Sequence, residues 1–193
     1  MFTVFSTTAA TGLLTEECSK HHKLPAFEAI VTDDSGNVIK KIKKGDLKRT
    51  DYTSEMATDY YTMYHNYTPP RYPITIEYKW TSEMDGSVIM FPTFMPAEAY
   101  NVQVDKALYT LEAPASMMCR YKVLNSDIKV QHDKAGDTDR FTVAVNSMKP
   151  IDYEPNAPAS REVLPMVHFA PSQFEYLGNK GTGGNWKEFG QWI

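Results

Sequence analysis

Few residues of this 193-residue sequence are of types that do chemistry, and their spacing matches no known site. Cys119 and His168 are the residue types of a thiol nucleophile and its base. Cys119, however, belongs to an alternating apolar run, which favours a buried core thiol. His21 and His22 are adjacent, and no carboxylate or cysteine spacing supports a metal site there, so we expect a loop with two solvated histidines. We predict that the chain has no catalytic residue, no metal and no cofactor.

Aspartates cluster at two turns of the sequence, one at Asp33 and Asp34 and the other around Gly136. Asp133, Asp137 and Asp139 surround Gly136 and have the carboxylate-rich character of a calcium loop. Their spacing misses the EF-hand pattern and its closing glutamate, and hairpin turns are often rich in aspartate. We therefore interpret this segment as a turn.

Tyrosines are concentrated in one stretch, and they provide a second functional hypothesis. Tyr60, Tyr61, Tyr64 and Tyr67 all precede the turn at Pro69-Pro70. Exposed tyrosines can stack on sugar rings or anchor a protein interface. The alternative function is therefore a stand-alone glycan- or peptide-binding module. The competing interpretation is that most of these rings face a hydrophobic core.

Charge and hydropathy exclude some classes of partner. The net charge of −4 and the pI near 5.7 give no electrostatic case for nucleic acid. No apolar run approaches the ~18 residues of a membrane span, and Met1–Ser6 resembles a strand rather than a signal peptide. Lys40–Lys44 is a basic run that suits a solvated strand edge better than a patch for an anionic partner. Because the sequence has only two cysteines, Cys18 and Cys119, it does not determine the redox compartment, nor whether the two form a disulfide.

An alternating segment forms the centre of the predicted fold. In the segment Tyr72–Trp80, apolar residues alternate with polar ones, as in a half-buried antiparallel strand. Asp85-Gly86 predicts a reversal and Val88–Phe91 a returning strand. After breaks at Pro92 and Pro96, Ala99–Leu111 is a second long extended run, and together these strands make a β-meander. The predicted core residues are Ile74, Ile76, Tyr78, Trp80, Tyr121, Val123, Phe141, Val143 and Val145.

Other segments extend the same pattern. Leu24–Thr32 and Val38–Lys43 predict a hairpin around the turn Asp33–Asn37. Asp59–Tyr67 is interpreted as an edge strand. Further short strands follow at roughly ten-residue spacing, with turn signals between them. The expected fold is all-β, an antiparallel β-sandwich of immunoglobulin-like or larger type, with a short helix start at its C-terminal end.

The end of the sequence differs in character. Residues 178–184 are glycine-rich and suggest a hinge, and Asn185 is a suitable N-cap for a helix whose Glu188 reaches back. Trp186, Phe189 and Trp192 recur at helical spacing. Such a short helix either folds back on the sandwich or contacts a domain beyond it, and we favour the second. The predicted organisation is a sandwich over 1–177 and, over 178–193, a hinge and helix leading to a following domain.

Five segments together resemble a known family, the domain of unknown function that precedes a transglutaminase-like domain in exported proteins of Bacteroides-type bacteria. These segments are Ala29–Lys43, Tyr72–Tyr78, Phe91–Pro96, Ile151–Pro158 and Trp186–Ile193. In the same order, they resemble the family's first hairpin, the strand that it enters through an aromatic residue and a proline, and its short crossing between two prolines. The last two resemble its acidic, proline-containing exit and the segment that leads into the next domain.

The resemblance carries several implications beyond the residues themselves. It implies a β-sandwich without catalytic residues, because the family's cysteine, histidine and aspartate lie in the following domain. It implies a non-catalytic accessory role in a cysteine protease-like amide-bond enzyme, packing against the catalytic domain or positioning its substrate. The following transglutaminase-like domain would be the partner, through Trp186, Phe189 and Trp192. The implied location is extracytoplasmic.

Overall fold

A computed structural model places the chain in two compact units, Met1–Asp85 and Gly86–Ile193. The structure describes residues 2–4, 13–51, 59–70, 73–84, 89–97, 99–176 and 178–193. Every strand pairing in the described residues is antiparallel, and helix is confined to short segments. The predicted all-β class is thus confirmed, and the immunoglobulin-like topology stays a prediction.

The first unit is built from two sheets that share one hydrophobic core. Its strands are β1 (Phe2–Val4), β2 (Leu13–Cys18), β3 (His22–Asp33), β4 (Val38–Lys43), β5 (Lys48–Asp51), β6 (Tyr61–Asn66) and β7 (Ile74–Met84). One sheet has the order β1-β7-β3-β4 and the other β2-β6-β5. The core joins Leu14 and Cys18 of the second sheet to Phe27, Val31 and Ile76 of the first.

The predicted first hairpin is confirmed as β3 and β4. The Asp33 carboxylate accepts hydrogen bonds from the backbone N–H groups of Ser35 (3.0 Å) and Asn37 (2.8 Å). Gly36 takes a positive φ of 81°, which a residue without a Cβ adopts at no steric cost. The β4 lysines are exposed on the last strand of the sheet order in the described residues, in agreement with a solvated edge.

Strand β7 follows the predicted alternation, but the meander around it is wrong. Ile76 and Tyr78 are buried, and Ile74 and Trp80 are partly buried. In its sheet β7 lies between β1 and β3, so both of its edges are already paired. Residues 89–91 accordingly form a bend and a loop instead of a returning strand. The predicted turn at 85–86, together with Tyr72 and Val88, lies outside the described residues.

The segment around the tyrosines is a strand, as predicted, but not an edge strand. β6 pairs with β2 on one side and with β5 on the other. The β5 segment has exposed, polar side chains along its whole length, and its sequence therefore shows no alternation that predicts a strand. Backbone hydrogen bonding to β6 forms it nonetheless, because strand pairing uses groups that every residue except proline carries.

The second unit contains the remaining elements. They are β8 (Val104–Pro114), β9 (Arg120–Leu124), β10 (Val130–Ala135), β11 (Thr138–Met148), α1 (Ser160–Val163), β12 (Met166–Ala170), β13 (Gln173–Tyr176), β14 (Asn179–Thr182) and α2 (Trp186–Trp192). Its sheets have the orders β10-β11-β8, β12-β9 and β13-β14. In the described part of the chain, neither α-helix has the length and apolar character required to cross a bilayer.

An aromatic cluster forms the core of the second unit. The ring of Phe169, which is fully buried, stacks on Tyr109 with centroids 5.2 Å apart and packs against Phe141. Val143 is fully buried on the same strand as Phe141, as predicted. The predicted burial of Tyr121 is wrong, since 47% of it is exposed although its ring touches Phe141 and Phe169. Alternation identifies which face a side chain takes but not whether another element covers it.

Candidate functional site

Cys119 is the first residue to consider as a nucleophile, and its surroundings suppress thiolate formation. It lies partly buried between a turn at residues 115–117 and strand β9. Burial, followed by the negative charge of Asp139, raises the pKa of Cys119 from 9.0 to about 11. Catalytic cysteines require the opposite shift, because the thiolate is the attacking species. The chemistry of this site is therefore that of an inert thiol.

His132, His168 and Asp139 of the second unit are engaged in other contacts. His132 Nε2 lies 2.9 Å from Oδ1 of the buried Asp139, and its ring stacks on Phe141 with centroids 4.2 Å apart. His168 Nδ1 lies 2.9 Å from Thr93 Oγ1. Within the described residues, neither imidazole makes a hydrogen bond to the Cys119 sulfur. The cysteine–histidine pair considered from the sequence is not assembled here.

The raised pKa of Cys119 predicts slow alkylation. At pH 7.5 the thiolate fraction of a group of pKa about 11 is about 100-fold smaller than that of a group of pKa 9.0, and alkylation follows that fraction. Iodoacetamide labelling of Cys119, followed by peptide mass spectrometry from pH 7 to 11, checks this. Asp139→Asn should lower the pKa and speed labelling, yet leave it above 9.0 because burial is the larger cause. Rapid labelling of the folded wild-type chain at pH 7.5 would contradict the prediction.

A serine, a histidine and a glutamate do meet in the first unit, where sequence inspection proposed only solvated loop histidines. His22 begins β3, and its Nε2 lies 2.5 Å from Ser82 Oγ and 3.2 Å from Glu16 Oε1. Ser82 Oγ donates to the same carboxylate oxygen at 2.8 Å. A nucleophilic triad needs serine and carboxylate on opposite ring nitrogens. Here both contact Nε2, so this is a structural link between β2, β3 and β7.

The aspartate turn between β10 and β11 follows hairpin geometry. Gly136 takes a positive φ of 61° at the reversal, and Asp133 and Asp137 are exposed. Asp139 instead points into the unit, where it meets His132. Across the described ranges, no group of three or more histidine, cysteine, aspartate or glutamate side chains is placed to hold a metal ion.

The four tyrosines considered for ligand binding do not share one exposed surface. Tyr61 and Tyr67 pack against the hydrophobic core of the first unit, and Arg49 covers the Tyr61 ring at 3.9 Å. Tyr64 is partly buried, whereas Tyr60 is 55% exposed. This arrangement favours a structural role for most of these rings.

The C-terminal aromatic residues have different environments from one another. Asn185 caps α2 as predicted, since its Oδ1 accepts from the Glu188 N–H at 2.9 Å. Phe189 and Trp192 are partly buried and contact Phe174 of β13, whereas Trp186 is 87% exposed. Part of the segment predicted as a hinge, Asn179–Thr182, is strand β14. The domain boundary at 177/178 and the interdomain role of these residues stay predictions.

Arg120 is a positioning residue that the sequence analysis missed. Its guanidinium donates to the carbonyl of Gly184 at 3.0 Å and also to that of Gly183, and thereby ties the loop before α2 to strand β9. The only sequence signal is an arginine in an alternating strand, which is typical of any solvent-facing position. The contact depends on residues 63 positions apart in sequence.

Comparison with known proteins identifies a solved structure and a protein family that this chain resembles. A search of solved structures finds similarity to a protein from Parabacteroides distasonis described as a putative protease, at a TM-score of 0.68 and 11% identity. The match covers 83% of this chain and 32% of that one, so this chain spans about a third of its length and shares its fold. No curated protein matches the chain.

The family model described as a domain of unknown function with solved structure, DUF3857, matches residues 18–152. Because that match includes most of the sequence, the chain belongs to the DUF3857 family.

Proposed function

We propose that this chain is the non-catalytic accessory domain of an exported, transglutaminase-like and cysteine protease-like protein. In this proposal a following domain of the same polypeptide carries the nucleophile and is the chain's partner. The observation that carries the proposal is the 32% coverage of the Parabacteroides distasonis protein, because most of that protein lies outside the shared fold. The accessory domain packs against the catalytic domain or positions its substrate outside the cytoplasm.

The chemistry of the described residues supports a non-catalytic role. Amide-bond chemistry requires an activated nucleophile, a base in contact with it and donors for the oxyanion. The Cys119 thiol has a raised pKa, and the imidazole of His132 is bound to Asp139. The Ser82 hydroxyl shares one carboxylate oxygen with His22. These groups stabilise the fold without forming that combination.

The exposed position of Trp186 supports the interdomain part of the proposal. Phe189 and Trp192 attach α2 to the β13–β14 hairpin, so Trp186 projects from an anchored helix. Burying one large apolar side chain is worth about 1.5–3 kcal/mol. A neighbouring domain that covers Trp186 would gain that free energy without unfolding the helix.

The test begins with the gene and then measures turnover. We expect the DNA beyond the Ile193 codon to encode a transglutaminase-like domain. The complete polypeptide should release ammonia or amine from glutamine-containing peptides, and Cys119→Ala should leave that rate unchanged. Residues 1–193 alone should show no turnover. A gene without that domain, or turnover by residues 1–193 that is lost in Cys119→Ala, would refute the proposal.

The same two proteins allow a second readout of the interdomain contact. The Trp186 fluorescence contribution, obtained by subtracting the spectrum of Trp186→Phe, should shift to shorter wavelength in the complete polypeptide because the indole leaves water. The matched control is Trp80, which lies in the other unit and should give the same spectrum in both proteins. An unchanged Trp186 spectrum would remove this residue from the contact.

A further inference from the structure

An open cleft lies beside the β13–β14 hairpin and has no role in the proposal above. Its volume is about 720 Å³, within the range of roughly 300–1,000 Å³ common for small-ligand sites. It is bounded by the turn at residues 115–117, the two hairpin strands and α2. Of the residues predicted to contact a following domain, Trp192 lines the cleft and Trp186 does not. The cleft is therefore distinct from the exposed surface at Trp186.

The wall of the cleft is one aromatic side chain held in a fixed position. Trp192 packs edge-to-face on Phe174 with ring centroids 5.0 Å apart, and on Tyr176 at 6.1 Å. A Cβ at Gly181 would lie 2.5 Å from the Phe174 ring and 2.9 Å from Trp192, so only glycine allows this approach. Arg120 holds the loop that leads into α2. The indole is thus positioned before any ligand arrives.

Polar side chains surround this indole, and several of them have no partner. Glu175 and Lys180 lie opposite each other in the backbone register of the hairpin, but within the described residues neither forms an ion pair. Gln191 also has no hydrogen-bond partner there. Glu188 uses one oxygen to accept from Asn185. The cleft therefore offers carboxylate acceptors, an ammonium donor and an amide that serves as both.

A second cavity of about 470 Å³ extends the site. It is lined by Tyr176, Asn179, Lys180, Trp192 and Ile193, and so it shares Lys180 and Trp192 with the first. A ligand longer than one small ring could contact Trp192 from both cavities.

We propose that the cleft at Trp192 binds a neutral oligosaccharide. A sugar ring offers an apolar C–H face for the indole and a rim of hydroxyls for the carboxylates, amide and ammonium around it. Two glutamates against one lysine disfavour a polyanionic ligand. The prevalence of polar side chains at an open cleft disfavours a purely apolar one.

The experiment uses the purified chain and a panel of neutral hexasaccharides made of glucose, mannose or N-acetylglucosamine. Calorimetric titration should detect binding of at least one member. Trp192→Ala should weaken it by about tenfold or more, and Gln191→Ala by a smaller factor. Gln191 is exposed, so its variant tests the site even if Trp192→Ala unfolds α2. Trp186→Ala is the matched control, because this indole lies outside the cleft, and it should bind like the wild type.

Three results would overturn the inference. They are the absence of binding to every hexasaccharide at millimolar concentration, binding that Gln191→Ala and Trp192→Ala leave unchanged, and capture of extended peptides from a random library in place of sugars. The last would indicate strand addition to the hairpin. None of these results bears on the activity of a following domain, so the proposed function is tested separately.

Discussion

Phe169→Ala should destabilise the second unit by about 3–5 kcal/mol, which is the usual cost of removing a buried ring from a packed core. Phe169 is fully buried and touches Tyr109, Tyr121 and Phe141. Its removal therefore costs the burial of the ring itself and leaves its three neighbours facing a cavity. Urea denaturation followed by circular dichroism, with hydrogen exchange of the β11 amides, measures the effect in this unit.

The matched control for Phe169 is Leu108→Ala. Leu108 is 56% exposed on β8, and substitutions at such positions usually change stability by less than about 0.5 kcal/mol. Equal losses from the two variants would show that the aromatic cluster is not the core of the unit.

Ile76→Ala should destabilise the first unit by about 2–5 kcal/mol. Only 1% of Ile76 is exposed, and it belongs to the core cluster that both sheets of this unit share. Glu77→Ala is the control, because this neighbour on β7 points to the exposed face. We expect the control to stay within about 0.5 kcal/mol of the wild type. Hydrogen exchange of the β3 amides shows whether the loss of stability lies in this unit. A larger loss from Glu77→Ala than from Ile76→Ala would contradict the orientation of the strand.

Local signals predicted much of the first unit correctly. The alternation along β7 identified Ile76 and Tyr78 as core residues, because a strand places successive side chains on opposite faces. The turn after β3 was predictable because a carboxylate followed by a glycine is suited to a reversal that bonds its own backbone. The helix start was predictable for a similar reason, since the Asn185 side chain caps α2 locally.

Pairing partners were beyond the reach of the same signals. The predicted return strand after β7 does not form, because β1 and β3 occupy the edges of β7. β6 was predicted as an edge strand, but β5 pairs with it although β5 has no alternating pattern. Backbone hydrogen bonds form each ladder, and they carry no side-chain signature that identifies the partner strand.

The candidate site shows the same division. The apolar neighbours of Cys119 predicted a buried thiol, and the structure leaves it partly buried, with a pKa that burial raises. The sequence did not indicate that Asp139 would bind His132, nor that His22, Glu16 and Ser82 would meet. Those contacts join different strands, and they arise only when the strands take their register.

By itself, the sequence determined the all-β class, the hairpin at Asp33 and the cap of α2, because each depends on residues within a few positions of one another. Only the tertiary structure decided the order of the strands and the cleft at Trp192. That cleft needs Gly181 to admit the Phe174 ring and Arg120 to hold a loop 63 residues away. Such contacts are selected by the packing of the whole unit, which no local pattern encodes.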